Sequence, residues 1–204
     1  MRNREDYLLV AWEFIESFDT ASEKDIADRL GITGATASQY ITSLVNDGLL
    51  VKNGRAIEFT RLGKRMTAPM VRMHRISEVF AFRFLEVPWE ETHSSVMELE
   101  HLFSGEKGEK LFKNLGRPET CPHGNPTDPF APRTGTSAVF AKDGTYRILR
   151  VTFEEDALLR KLASVEAFPD RQIRVYHENG VSIETEIGQI RFSPEDVQAL
   201  ILVR

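Results

Sequence analysis

Apolar residues recur at helical spacing in three successive stretches near the start of the chain. Leu8, Trp12 and Ile15 mark one face of a first helix. Ser22 followed by Asp25 has the form of a capping box, Ile26 and Leu30 supply a buried side, and Gly31 offers a stop. Thr33 can cap a third helix whose apolar side is Ala37, Ile41, Leu44 and Val45, ending at Gly48. Residues 49–52 and 55–59 then read as strands around Asn53-Gly54, a pair suited to a type I′ hairpin turn. Helix, helix–turn–helix and two-stranded hairpin is the order of a winged helix.

A longer helical pattern runs from Arg61 towards Leu85 and contains Pro69, which is expected to kink or restart it. Another begins near Trp89, just after Pro88, and extends to about Phe103, while residues 106–115 read as a shorter helix. Residues 116–136 are dense in proline and glycine and read as an irregular connection. From Ala138 onward the period changes to two. Strands are predicted at 145–152, 172–176, 181–186 and 189–192, with Asn179-Gly180 as a turn and a helix at 157–162. Ser193-Pro194-Glu195 opens a short helical turn. Short strands at this density predict a small β-barrel. The expected fold class is α+β: a winged helix-turn-helix at 1–72, a helical domain at 73–137 and a small barrel at 138–204.

Composition narrows the function classes. Of 204 residues, 41% are hydrophobic and 28% charged, as in ordinary globular proteins, and no apolar run is long enough for a transmembrane helix. The amino terminus shows no secretory h-region, and a single cysteine, Cys121, cannot form an internal disulfide; both lead to an expected cytoplasmic location. The net charge of -5 argues against a uniformly basic nucleic-acid binder. Its distribution argues the other way. Residues 49–75 carry Lys52, Arg55, Arg61, Lys64, Arg65, Arg72 and Arg75 against only Glu58, a compact basic stripe of the kind that contacts phosphates.

The middle helices carry the candidate chemistry. His74 and Glu78, four apart, share a helix face, as do His93, Met97, Glu100 and His101 on the next helix. Two helices presenting imidazole and carboxylate can build a metal site between them, and mixed N, O and S donors suit a transition metal better than calcium or magnesium. Spacing alone also fits solvated or salt-bridged helix faces. Cys121 and His123 are an alternative pair, able to bind metal or to act as nucleophile and base, but their proline- and glycine-rich setting favours a structural role.

The stretches VRMHRISEVFAFRFL and THSSVMELEHLFS resemble the paired metal-binding helices of the diphtheria toxin repressor family, and CPHGNP at 121–126 resembles that family's signature loop. The resemblance covers the first ~130 residues in order and continues more weakly into the last 60, where larger members carry an SH3-like, FeoA-like barrel.

It implies a metal-activated, DNA-binding transcriptional repressor of metal-uptake genes: a homodimer on double-stranded operator DNA, without membrane, small-molecule substrate or enzymatic activity. Two metal sites per subunit are implied. His74, Glu78 and His93 match the ancillary site, completed from the third domain; there the sequence offers Glu154, Glu155 and Asp156, of which Glu155 is the expected partner, and a second family ligand falls on Leu158, which cannot bind. Asp6, Met97, Glu100 and His101 match the primary site. Members responding to iron and to manganese differ at the first and second of these positions, and this chain combines Asp6 with a sulfur donor. A thioether favours Fe(II) over Mn(II), whereas Met97 as mere helix packing would leave the ion open. Thr36, Ser38 and Gln39 match base-reading positions of the recognition helix, with Ala35 placed to touch a thymine methyl. Thr33, Arg29, Lys52, Arg55 and Arg61 would hold the phosphate backbone. A metallohydrolase built on the same His/Glu cluster is the rival from another class, but it leaves the wing and recognition helix unexplained.

Overall fold

The computed structural model describes residues 3–97, 103, 105–178 and 180–204. The chain divides into two compact units, Met1–Arg72 and Met73–Arg204. Among the described residues, no helix is long and apolar enough to cross a membrane.

The first unit contains α1 (Arg4–Phe18), α2 (Glu23–Leu30), α3 (Gly34–Asn46), β1 (Leu50–Asn53), β2 (Ala56–Phe59) and the start of α4 (Arg61–Phe84). Local chemistry sets the boundaries. Asn3 and Asp6 form a capping box on α1, Ser22 and Asp25 another on α2, and Gly31 ends α2 at φ 64°. Thr33 accepts from the Thr36 amide to open α3. Tyr7, Leu8, Trp12, Ile26, Ile41, Leu44, Ile57 and Phe59 meet in one core, with Tyr7 stacked on Tyr40 at 4.4 Å.

Two details differ from expectation. Asn53 pairs with Ala56, so the hairpin turn is Gly54-Arg55, one residue later than predicted. Positive φ falls on Gly54 alone of the two central residues, the pattern of a type II′ turn. Secondly, α4 continues through Pro69 as one helix. Proline deletes a single backbone donor, and Ala68 and Val71, packed into the core on either side, hold the helix together across the gap.

In the second unit α4 ends at Phe84 and is followed by a 3-10 turn (Trp89–Glu91), α5 (Thr92–Val96) and α6 (Glu106–Asn114). The predicted helix from Trp89 to Phe103 is described only to Met97 and at Phe103. A six-stranded antiparallel sheet then forms from β3 (Thr136–Ser137), β4 (Gly144–Val151), β5 (Gln172–Tyr176), β6 (Val181–Glu184), β7 (Gln189–Phe192) and β8 (Leu200–Val203), in the order β3-β8-β4-β5-β6-β7. The short helices α7 (Asp156–Ala163) and α8 (Pro194–Val197) accompany it. Ile148, Leu159, Leu162, Ile173, Val175 and Phe192 fill its core, which also takes in Trp89. A smaller cluster of Ile76, Val79, Leu115 and Cys121 packs α4 against α6 and the loop beyond it. Gly108 lies where an added Cβ would stand 2.1 Å from the Met73 Cε and 2.3 Å from the Phe103 carbonyl, so α6 approaches too closely for any side chain there.

Candidate metal centre

One turn of α4 puts His74 and Glu78 on the same buried face. His93, near the start of α5, comes to meet them. The approach is set by Trp89, whose indole Nε1 donates to the Pro122 carbonyl at 2.9 Å and whose ring packs on Phe168. Glu154 arrives from the segment between β4 and α7. The donor atoms converge closely: His74 Nε2 and His93 Nδ1 are 3.1 Å apart, and Glu78 Oε1 lies 3.2 Å from the first and 3.4 Å from the second. Glu154 Oε2 is 2.7 Å from His93 Nδ1.

Glu155, the expected partner, is placed elsewhere: its side chain accepts from the Leu158 amide at 3.1 Å and caps α7. The reason is local. A free helix amide needs an acceptor from the preceding residue, and Glu155 is extended (φ -84°, ψ 130°), a conformation in which neighbouring side chains face opposite ways. Glu154 is thereby turned to the cluster. Leu158 sits in the hydrophobic core.

The loop CPHGNP closes one side of the centre. Cys121 N donates to Asn125 O, Gly124 N to Cys121 O, and Val151 N to His123 O, so the loop is a tight turn hooked onto β4. Gly124 adopts φ 85°, and an added Cβ there would meet the Leu149 carbonyl at 2.2 Å. Arg75, next to His74, donates to the Pro126 carbonyl at 2.9 Å. Inside the turn, the Asn125 amide donates to Val151 O at 2.7 Å and to Glu154 Oε1 at 2.6 Å, orienting that carboxylate. His123 and Asn125 therefore line the cluster; from sequence, Cys121 and His123 are an alternative pair for which a structural role is favoured, and Asn125 is not singled out.

Electrostatics fit a cation. Burial by itself would raise the Glu78 carboxyl, but the charges of His123 and His74 hold it well below its ordinary value. Burial and the neighbouring Glu78 push Glu154 up, and His123 and His93 outweigh them to lower it. His123 runs the other way: burial would lower it, and the two carboxylates raise it well above its ordinary value. Burial pushes the Cys121 thiol up, helped by both carboxylates. The Glu78 side chain is fully buried, and its Oε1 is a carboxylate oxygen facing the rings of His74, His93 and His123 at 3.2, 3.4 and 3.5 Å. Such an oxygen is costly unless a cation compensates it. Carboxylates and imidazoles gathered within 4.8 Å fit a divalent transition metal.

The other expected residues are distributed as follows. Asp6 is the N3 member of the α1 capping box and Met97 is half-buried just beyond α5; Glu100 and His101 lie outside the described residues. On α3, Ala37, Ile41 and Leu44 face the core, leaving Thr33, Ala35 and Gln39 exposed and Thr36 and Ser38 half-buried. Lys52, Arg55 and Arg61 are exposed on the wing and the start of α4. Glu23 accepts from both Lys52 (2.7 Å) and Ser38 (3.3 Å), while Arg29 makes a two-pronged pair with Glu13.

Comparison with known proteins gives the same order of parts. Residues 1–56 match the family described as iron dependent repressor, N-terminal DNA binding domain. Residues 60–129 match iron dependent repressor, metal binding and dimerisation domain. The iron-dependent repressor IdeR of Mycobacterium leprae is 36% identical over 60% of this chain, and the match spans only 54% of that relative's length. Among solved structures, IdeR of T. acidophilum superposes with a TM-score of 0.90 at 25% identity, covering 99% of this chain and 98% of that one. A manganese-dependent transcriptional repressor in complex with manganese does so with a TM-score of 0.83 at 32% identity, over 98% and 99%.

Proposed function

The chain belongs to the diphtheria toxin repressor family, and from that premise we propose that it is a metal-activated, DNA-binding transcriptional repressor of metal-ion uptake genes, and not an enzyme. The observation that carries the reading is the buried cluster of His74, Glu78, His93 and Glu154 in a chain that begins with a winged helix. As a repressor it would act on DNA in the cytoplasm, as a homodimer on double-stranded operator sites.

His74, Glu78, His93 and Glu154 hold the ancillary ion, Asn125 orients Glu154, and the apolar packing of Ile76, Val79 and Trp89 keeps water out. Asp6, Met97, Glu100 and His101 form the primary set on sequence resemblance, giving two sites per subunit. Fe(II) is the proposed activator and Mn(II) the alternative, because Met97 adds a soft donor to an otherwise oxygen- and nitrogen-rich set. A bound ion supplies positive charge that makes one arrangement of its ligands more stable than the other, and activates only through that difference. On the DNA side, Ala35, Thr36, Ser38 and Gln39 read bases. Thr33, Lys52, Arg55 and Arg61 hold phosphates, with Arg29 joining them only if it leaves Glu13.

The test is anaerobic binding to a panel of promoter fragments with Fe(II), Mn(II), Zn(II), Co(II) or chelator. Metal should be required for tight binding, His101→Ala should abolish the response, and His74→Ala should weaken it. Equal binding in metal and chelator would overturn the reading.

A further inference from the structure

We propose that Glu23 is a specificity-determining residue of the DNA-binding surface: it occupies the donors of Lys52 and Ser38 that a phosphate would otherwise take, and so suppresses binding to DNA of arbitrary sequence. The proposal deepens the repressor reading above and rests on it.

One carboxylate oxygen joins three elements. Glu23 stands in the first turn of α2, Ser38 in α3 and Lys52 in β1. Lys52 Nζ donates to Glu23 Oε1 at 2.7 Å, and Ser38 Oγ donates to the same atom at 3.3 Å. Helix capping does not account for this position. Ser22 and Asp25 already close the α2 capping box, with the Ser22 amide and hydroxyl donating to Asp25 Oδ2 at 2.9 and 2.7 Å. The Glu23 side chain instead reaches the recognition helix and the wing.

In a helix-turn-helix on DNA the recognition helix enters the major groove, and the helix before it crosses the phosphate backbone. A carboxylate at the start of α2 is then among like charges. The Lys52 and Glu23 side chains are 39% and 26% exposed, so a phosphate can reach the pair. Lys52 contributes to phosphate binding only what remains after Glu23 is given up. Ser38 is constrained differently. A carboxylate only accepts, so the single hydroxyl proton is committed to Glu23 and the lone pairs are what Ser38 presents. Lone pairs repel phosphate oxygens, and in the major groove they suit the amino groups of adenine and cytosine. Glu23 therefore weakens the sequence-independent part of binding, which phosphate contacts supply, and leaves Ser38 a base to read.

The experiment is fluorescence anisotropy of the full chain, in the ion that gives the tightest binding, on the best fragment of the promoter panel and on a random duplex of equal length. Glu23→Ala should bind the random duplex about 1.5–5-fold more tightly, the range expected for breaking an exposed ion pair. The gain on the promoter fragment should be smaller, so that the ratio of the two affinities falls. Lys52→Ala should weaken random binding more in the Glu23→Ala background than in the wild type, because only there does the lysine meet phosphate without a competitor. Circular dichroism checks the fold, and Glu23→Gln, which keeps the length and drops the charge, decides the matter if Glu23→Ala does not fold. Random-duplex affinity unchanged or lower would overturn the proposal, as would an equal gain on both duplexes. A gain of the same size with and without Lys52 would also overturn it, since the carboxylate would then act on DNA only as a distant charge. Each of these results spares the repressor reading. A wild type that binds no promoter fragment in any metal would sink both.

Discussion

Asn125→Ala tests whether the CPHGNP loop holds the centre in shape. The side chain is 1% exposed and makes two hydrogen bonds, to the Val151 carbonyl and to the Glu154 carboxylate. A bond to a charged acceptor contributes about 1.5–3 kcal/mol and one to a neutral carbonyl about 0.5–1.5 kcal/mol. Against this, the Asn125 Oδ1 has no donor among the described residues, so removing it relieves a small cost. The expected net loss is about 2–3 kcal/mol, or roughly 4–12 °C in Tm for a chain of this length. Urea unfolding in chelator measures it, followed by the fluorescence of Trp89, which packs on His123 at 4.9 Å, in a Trp12→Phe background. Asn125→Asp should cost more at neutral pH, because it sets a second carboxylate beside Glu154, and the excess should vanish as acid protonates the pair. Metal affinity should fall about 10–100-fold in Asn125→Ala, as for other residues that orient ligands. A stability loss under about 1 kcal/mol with unchanged metal affinity would refute the assignment of Asn125 as a clamp on Glu154.

Further tests address each remaining part. Gln39→Ala should cost about 1–3 kcal/mol on a cognate operator and much less on random DNA, measured by fluorescence anisotropy, whereas Lys52→Ala should weaken both alike and flatten the salt dependence. Met97→Leu should raise the concentration of every metal needed for half-maximal operator binding, and Met97→Glu should shift activation towards Mn(II); a Met97→Leu protein that answers iron like the wild type would make Met97 core filler. In chelator, His123, raised above its ordinary 6.5, contributes stability that is complete below that value and lost as pH climbs through its elevated one. Glu78, lowered below 4.5, contributes stability present above that value and lost as pH falls through its depressed one. Denaturation midpoints across pH in chelator should therefore decline on both sides.

Local signals were read most faithfully in the first unit. The caps at Ser22 and Thr33, the stop at Gly31 and the apolar sides of the first three helices are each contained within a few residues, and the structure has them all. The hairpin slipped by one because Asn-Gly suits a type I′ turn while Gly54 alone suffices for the one formed. β8 was missed: Leu-Ile-Leu-Val is a short unbroken apolar run, which periodicity cannot separate from helix, and its place between β3 and β4 is a long-range fact. In the metal centre, His74, Glu78 and His93 were legible because helical spacing is local. Choosing Glu154 over Glu155 required knowing which residue caps α7, and the part played by Asn125 required knowing that Val151 and Glu154 lie beside the loop.

The centre also works as a topological device. Its contacts join points far apart along the chain: 61 positions separate His93 from Glu154, and 51 separate Arg75 from Pro126 just beside it. An ion held by α4, α5 and the segment after β4 closes those loops as a covalent staple would. In the chain-entropy account, a staple across a loop of that first length is worth at most about 4 kcal/mol, nearly all of it from denying freedom to the unfolded chain. Here that restraint would be reversible and set by the free metal concentration. A chelator would then act on this unit as a reductant acts on a disulfide-bonded secreted domain, loosening the tie between helices and sheet while leaving every hydrophobic contact in place.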